Sequence, residues 1–174
     1  VTEKQRIVVD AHKVCNLDAK GFAAQAKFHT RNFVGPSGVI YVGTKQGYAK
    51  KGDDSEYPGG YLITYDPRND TARNLGMPYE KQGIADVVAD ESRGLIYVVT
   101  CEDQHWMLYD VATRKFTELG PMLTPYATTL MDAEGKAHAL TKDFQLATYD
   151  PATKKVSRRP IVIGGKTFTR ESRS

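Results

Sequence analysis

Short β-branched and aromatic runs recur along the chain, among them GVIYVGT, YLITY, IADVVAD, GLIYVVT, WMLY and FQLATY, and clusters of Gly, Pro, Asp, Asn or Ser stop each one. Apolar runs of that length bounded by turn residues predict strands rather than helices.

The runs fall into three copies. They read GVIYVGT (38–44) then GGYLITYDPRNDTARNLG (59–76), GLIYVVT (94–100) then HWMLYDVATRKFTELG (105–120), and GKAHALT (135–141) then FQLATYDPATKKVSRR (144–159). Anchored on Gly38, Gly94 and Gly135, the residue three on is Tyr41, Tyr97 and His138, and the residue six on is Thr44, Thr100 and Thr141. Tyr65-Asp66, Tyr109-Asp110 and Tyr149-Asp150 end a strand in each copy, and DPRNDT, DVATRK and DPATKK make the turn that follows. Asp accepts from nearby backbone N–H groups and Pro presets φ for a turn. A further extended run precedes each glycine: FHTRNFV (28–34), IADVVAD (84–90) and YATTLMD (126–132). Each copy therefore predicts four antiparallel strands, a–b–c–d.

Repeated four-stranded units of this length are the blades of a β-propeller. The expected fold is all-β, a single domain over 1–174 with full blades at about 24–76, 82–120 and 124–160. Residues 1–23 and 161–174, through QRIVV and PIVIGGKTF, are expected to hold partial blades. Three blades do not close a ring, so the missing blades are expected from a longer chain or from a second copy. The motifs G-x-[IL]-Y and Y-D-P-x-T-x-[KR] over residues 24–160 resemble those of bacterial propeller proteins with kelch-like or YVTN-like repeats. The paired Gly-Gly and spaced Tyr…Trp that true kelch repeats carry in each copy are not repeated here, and the GH…WD of WD repeats is missing. The organisation is also similar in general to propeller-type polysaccharide lyases. The resemblance implies a propeller and leans towards a secreted or periplasmic setting.

Composition changes this picture little. The 174 residues are 40% hydrophobic and 26% charged with a net charge of +3, as in an ordinary globular protein. The basic residues are too dispersed for a nucleic-acid footprint, and no nucleic-acid partner is expected. No apolar run approaches the roughly 18 residues of a membrane span. The first residues lack the apolar core of a signal peptide, and a first residue of Val fits a processed product or an excised piece, so the residues themselves leave localisation open. Cys15 and Cys101 lie far apart without a CxxC pairing, which signals neither a zinc ribbon nor a disulfide framework.

In a propeller the d–a and b–c connections share one face around the central channel. The b–c connections differ: Thr and Tyr are 21 residues apart in copy one against 9 and 8 in the others, an insertion of 12 or 13 residues carried by KQGYAKKGDDSEYPGGY (45–61). Aligning the copies through Gly35, Asp90 and Asp132 sets His29, Ile84 and Tyr126 at one level, and strand alternation then puts His29 and Arg31 on one side. The channel mouth is expected to carry Lys27, His29, Arg31, Lys45, Tyr48, Tyr57, Lys81, Gln82, Glu102, His105, Tyr126 and Lys142, a cationic and aromatic mix.

Two functions fit that mix. The first is a binding module for a saccharide, peptide or protein partner, with Tyr48, Tyr57 and Tyr61 offering flat amphipathic faces. The second is a lyase acting on an acidic polysaccharide by β-elimination. Arg31 or Lys45 would neutralise the uronate carboxylate, and His29 or Tyr57 would remove the α-proton. No cofactor is expected, since the insertion is neither a Walker loop nor GxGxxG. A divalent metal shared by His29 and His105 would need Glu102 or Gln82 as a third ligand, and no H-x-x-H spacing supports it. His138, at a packing position, reads as structural, and His12 carries no assigned role.

Overall fold

The computed structural model describes residues 7–17, 26–46 and 56–169. A short helix, α1 (Ala11–Cys15), precedes three sheets built strictly in chain order. Sheet one holds β1 (Ala26–Phe28), β2 (Phe33–Val34), β3 (Ile40–Gln46), β4 (Leu62–Asp66) and β5 (Thr71–Gly76), with β1 and β2 both pairing with β3. Sheet two holds β6 (Gly83–Asp90), β7 (Leu95–Cys101), β8 (Trp106–Asp110) and β9 (Lys115–Glu118). Sheet three holds β10 (Leu130–Met131), β11 (Ala137–Leu140), β12 (Gln145–Asp150) and β13 (Lys155–Pro160). A hairpin of β14 (Val162–Ile163) and β15 (Lys166–Thr167) follows, turning through Gly164 and Gly165 at positive φ. Every pairing is antiparallel, so the chain is all-β with almost no helix.

The repeat marks hold the sheets' turns. Gly38, Gly94 and Gly135 sit in a–b turns at φ 85, 65 and 83, a region where a side chain is strained. The repeat threonines close the b–c connections. Thr44 Oγ1 accepts from Tyr61 N at 2.8 Å, Thr100 Oγ1 from His105 N at 2.8 Å and Thr141 Oγ1 from Gln145 N at 2.9 Å. Their own N–H groups return bonds to Tyr61, His105 and Gln145, so each stem is sealed twice whatever the length of the loop above it.

Sheet two is packed on both faces. Ile96, Val98, Met107 and Tyr109 meet Tyr41 and Leu62 of sheet one, while Tyr97, Val99, Trp106 and Leu108 meet Ala137, Ala139, Ala147 and Tyr149 of sheet three. This alternation explains why β7 and β8 read as continuous apolar runs: odd and even side chains enter different cores. Small alanines on sheet three face Tyr97 and Trp106, and the indole N–H of the fully buried Trp106 donates to Thr129 Oγ1 at 3.1 Å. Burial of each such large side chain contributes about 1.5–3 kcal/mol.

The outer faces of the stack differ. Val42, Tyr61 and Ile63 of sheet one are covered by Ala11, Cys15 and Leu17. This corrects the 7–9 part of the expected strand in QRIVV, since residues 7–17 form no strand; Gln5 and Arg6 lie outside the described residues. Asp10 accepts from His12 N and Lys13 N as an N-cap, and Asn16 at φ 54 ends the helix. Those two caps and the spacing of Ala11, Val14 and Cys15 win over the β-branched residues before them. On sheet three the outer face leaves Leu130 63% exposed.

Candidate functional site

The a strands are irregular at one level in all three sheets. In sheet one Phe28 faces Thr44 and Phe33 faces Tyr41, so residues 29–32 span a gap that 42–43 fill opposite. In sheet two Ile84 faces Thr100 and Asp86 faces Val99, leaving Ala85 extra. In sheet three Leu123 bridges to Thr141 and Leu130 faces His138, so 124–129 lie opposite 139–140. Extra residues of this kind bend a strand and re-aim its side chains. They also correct two expectations. The equivalent residues are Phe28, Ile84 and Leu123, each opposite its repeat threonine, rather than His29, Ile84 and Tyr126. His29 and Arg31 lie outside regular strand, so alternation does not set their directions.

Asp86 joins the three irregular segments. Its side chain is 3% exposed; Oδ1 accepts from Arg31 Nε at 3.1 Å and Oδ2 from Thr129 N at 3.0 Å. One carboxylate thus ties sheet two to both neighbours. Two residues earlier, the Ile84 carbonyl lies 2.8 Å from His29 Nδ1. A carbonyl only accepts, so Nδ1 carries the hydrogen and Nε2 of the neutral ring presents a lone pair. His29 is exposed and Arg31 is 58% exposed. His29 Nε2 and the Arg31 Nη atoms have no partner among the described residues.

Four other expected site residues are held by neighbours: Lys45 and Glu102 by each other, Gln82 by Asp103 and His105 by Glu118. Lys45 Nζ lies 2.6 Å from Glu102 Oε1, and Glu102 Oε2 accepts from Gly83 N at 2.8 Å. Burial pushes the Glu102 carboxyl up, but Lys45 and the Gly83 N–H outweigh it and leave the group below the usual glutamate range. Its hydrogen bond to Glu102 holds the Lys45 ammonium above its ordinary value. Burial raises the neighbouring Cys101 thiol, so it is no activated nucleophile. Gln82 and Asp103 exchange two hydrogen bonds, Nε2 to Oδ2 at 2.9 Å and Asp103 N to Oε1 at 2.8 Å. His105 Nδ1 lies 2.7 Å from Glu118 Oε1, and its ring stacks on Tyr79 with centroids 3.8 Å apart.

The tyrosines divide. Tyr61 is buried against α1, with Ala11, Cys15 and Leu17 in its cluster, and offers no face to a ligand. Tyr57 is half-buried, and among the described residues its enclosed hydroxyl has no well-formed hydrogen bond; the backbone of Gln46 lies beside it at poorer geometry. Burial pushes its pKa up to about 12, so it keeps its proton at neutral pH. Tyr126 stands 94% exposed on a turn at φ 61, and Lys27 is an exposed strand residue opposite Lys45. Tyr48 lies outside the described residues. The described stem of the long connection sits at the end that bears Lys45 and Glu102. There Gly60 N donates to Gln82 O and Lys81 N to Pro58 O, both at 2.7 Å, and a Cβ at Gly60 would collide with the Thr44 carbonyl oxygen.

His138 is a satisfied structural residue, with Nδ1 2.9 Å from Thr148 Oγ1 and Nε2 2.9 Å from Asp132 Oδ2. Among the described residues no group of three or more His, Cys, Asp or Glu side chains is placed to hold a metal. At the opposite end of the sheets lies a cleft of about 570 Å³ between sheets one and two, bounded by c–d turns.

These features define an all-β chain of stacked four-stranded sheets with a polar junction among its first strands. No protein-family model matches the chain, and no curated protein does. Among solved structures, the chain is similar to the extracellular domain of BT4673 from B. thetaiotaomicron, assigned to a one component system. The likeness has a TM-score of 0.50 and 18% identity, over 78% of this chain and 16% of that one. A second structure of a BT4673 extracellular domain, assigned to a hybrid two component system, gives a TM-score of 0.45 and 13% identity over 85% and 23%. The chain therefore spans a small part of the length of either, and the first likeness is one of fold alone.

Proposed function

We propose that the three sheets are consecutive blades of a β-propeller and that the chain is a ligand-binding module whose site is formed by His29 and Arg31. The observation that carries the reading is the Asp86 junction. It fixes Arg31 through Nε, leaves its Nη atoms uncommitted, and stands beside the carbonyl that orients His29. Arg31 offers a cation to a carboxylate, and the neutral His29 ring offers its Nε2 lone pair to a neighbouring hydroxyl; both are held by buried partners but open to solvent. An acidic saccharide carries both groups and fits best, and a peptide or protein partner that presents a carboxylate beside a hydroxyl is the other occupant of the same chemistry. The chain-order sheets, packed on both faces of sheet two, support the blade assignment. Further blades, from a longer chain or a second copy, would cover Leu130 on sheet three. The similar BT4673 structure is an extracellular domain, which accords with a secreted or periplasmic module.

Calorimetric titration with oligogalacturonate, a neutral oligosaccharide of equal length and an acidic peptide tests the reading. Binding of the anions alone is expected, weakened about tenfold or more by Arg31→Ala and by His29→Ala, and falling with salt. Equal binding of the neutral sugar, or full binding by Arg31→Ala, would overturn it. Accumulation of an unsaturated uronate during the titration would make His29 a base rather than a contact.

A further inference from the structure

We propose that the cleft between sheets one and two, at the end away from the Asp86 junction, is a second binding site, for a small organic carboxylate with an apolar body. One wall is Tyr41, Thr64, Thr71, Arg73 and Leu75 of sheet one. The other is Ile96, Tyr109, Val111 and Arg114 of sheet two. Its volume of about 570 Å³ falls within the range of small-molecule pockets, about 300–1,000 Å³.

Charge decides the ligand class. Arg73 and Arg114 stand on opposite walls, and neither guanidinium has a hydrogen-bonded or ion-paired partner among the described residues. The acids around them are hydrogen-bonded by other donors, and Arg73 acts on Asp66 only through its charge. Asp66, itself in the lining, takes Arg68 through Nε at 3.0 Å and Nη2 at 2.9 Å, and also accepts from Asn69 Nδ2 at 3.3 Å. Glu91 accepts from Ser37 N and Oγ and from the Tyr41 hydroxyl at 2.9 Å. Asp110 caps its own turn through Thr113 N at 3.0 Å. Two guanidiniums therefore face a gap whose nearby carboxylates are already bonded, which is a setting for bidentate carboxylate recognition. Below them, buried Ile96 and Tyr109 with half-buried Leu75 form an apolar floor, which calls for a ligand with a hydrophobic body. Asn69 and Asn74 rim the opening with amide donors and acceptors.

2-Naphthoate is the probe, with 2-naphthamide as its neutral isostere, followed by naphthalene fluorescence and by calorimetry. The expected result is saturable binding of the acid at least tenfold tighter than the amide. Arg73→Ala and Arg114→Ala should each weaken it about fivefold or more, Arg73→Lys should restore part of the loss, and Arg31→Ala should leave it unchanged. Both arginines are exposed and unpaired, so the alanine variants should keep the parent melting temperature. Equal binding of acid and amide, or undiminished binding by the Arg73→Ala, Arg114→Ala double variant, would overturn the site. Loss of binding in Arg31→Ala would move the probe to the other end and overturn it as well. Because the two sites share no residue, failure here leaves the reading of His29 and Arg31 intact.

Discussion

At the b–c end of the sheets, the residues that carry chemistry are abundant but mostly bonded to one another. At the a–b and c–d end the acids are bonded largely within and between the turns, and two arginines without a hydrogen-bonded partner among the described residues stand over an apolar floor. Lys45, Glu102, Gln82 and His105 lock connections together at the first end, and only His29 and Arg31 keep atoms to spare among those the Asp86 junction orients. A count of polar residues near a mouth is therefore a poor guide to binding. What matters is which donors are left over after the fold has satisfied its own acceptors.

Asp86→Ala should have the largest effect, and it acts on one end only. It orphans the buried Thr129 N–H and frees Arg31. Breaking a fully buried pair costs about 3–5 kcal/mol, but Arg31 is mostly solvated, so about 2–3 kcal/mol is expected. That corresponds to a fall of roughly 5–10 °C in melting temperature for a chain of this size. Anionic ligands at the junction should bind about tenfold less tightly while naphthoate binding in the far cleft holds. An unchanged melting temperature would show that Asp86 is not the tie between the sheets.

Thr44→Val comes next and compares the long b–c connection with its short counterparts. It removes the acceptor of the buried Tyr61 N–H, at about 1–3 kcal/mol. Thr141 is as buried, but its partner Gln145 and its second partner Asp143 reach solvent, so Thr141→Val should cost less. Urea denaturation of the two variants gives the difference directly. Equal losses would mean that burial of the orphaned N–H does not set the cost.

Much of the fold was legible because the repeat itself is a set of turn and stem devices: glycine at positive φ, threonine closing a hairpin, Asp in the c–d turn. The irregular first strands were not legible. A bulge resets the two-residue period, and how many residues oppose 42–43, 99–100 or 139–140 depends on pairing that the sequence does not carry. Helix α1 did leave a signal in DAHKVCN, an Asp cap and a terminal Asn around Ala11, Val14 and Cys15, which the apolar Ile7-Val8-Val9 run obscured. Of the candidate site, residue types could be named from sequence, but their allegiances could not. Tyr61 turns inward to α1, His105 to Glu118, and the Arg31–Asp86 pair joins positions 55 apart.

Tyr57→Phe should shift stability the other way. Its enclosed hydroxyl lacks a well-formed partner among the described residues, so removing it should raise the urea midpoint by the equivalent of about 1 kcal/mol and leave ligand binding unchanged. A loss of binding would return Tyr57 to the site.

Glu102→Gln should give the smallest effect, and its value lies in the pH dependence. The folded Glu102 carboxyl sits below its ordinary value because Lys45 and the Gly83 N–H outweigh the upward push of burial. A group depressed on folding contributes stability above its unfolded pKa and loses it as pH falls through the folded one. The wild-type protein should therefore lose this contribution only as pH drops below the ordinary glutamate value of 4.5. Both partners are partly exposed, so the contribution at neutral pH is under about 1 kcal/mol. Glutamine keeps an acceptor for Gly83 N–H but not the charge. Its stability curve should lie slightly below the parent at pH 7 and converge with it in acid. Parallel curves down to acid pH would show that the Lys45 pair holds the connections by shape rather than by charge, and the b–c end would then owe its rigidity to its hydrogen-bonded stems.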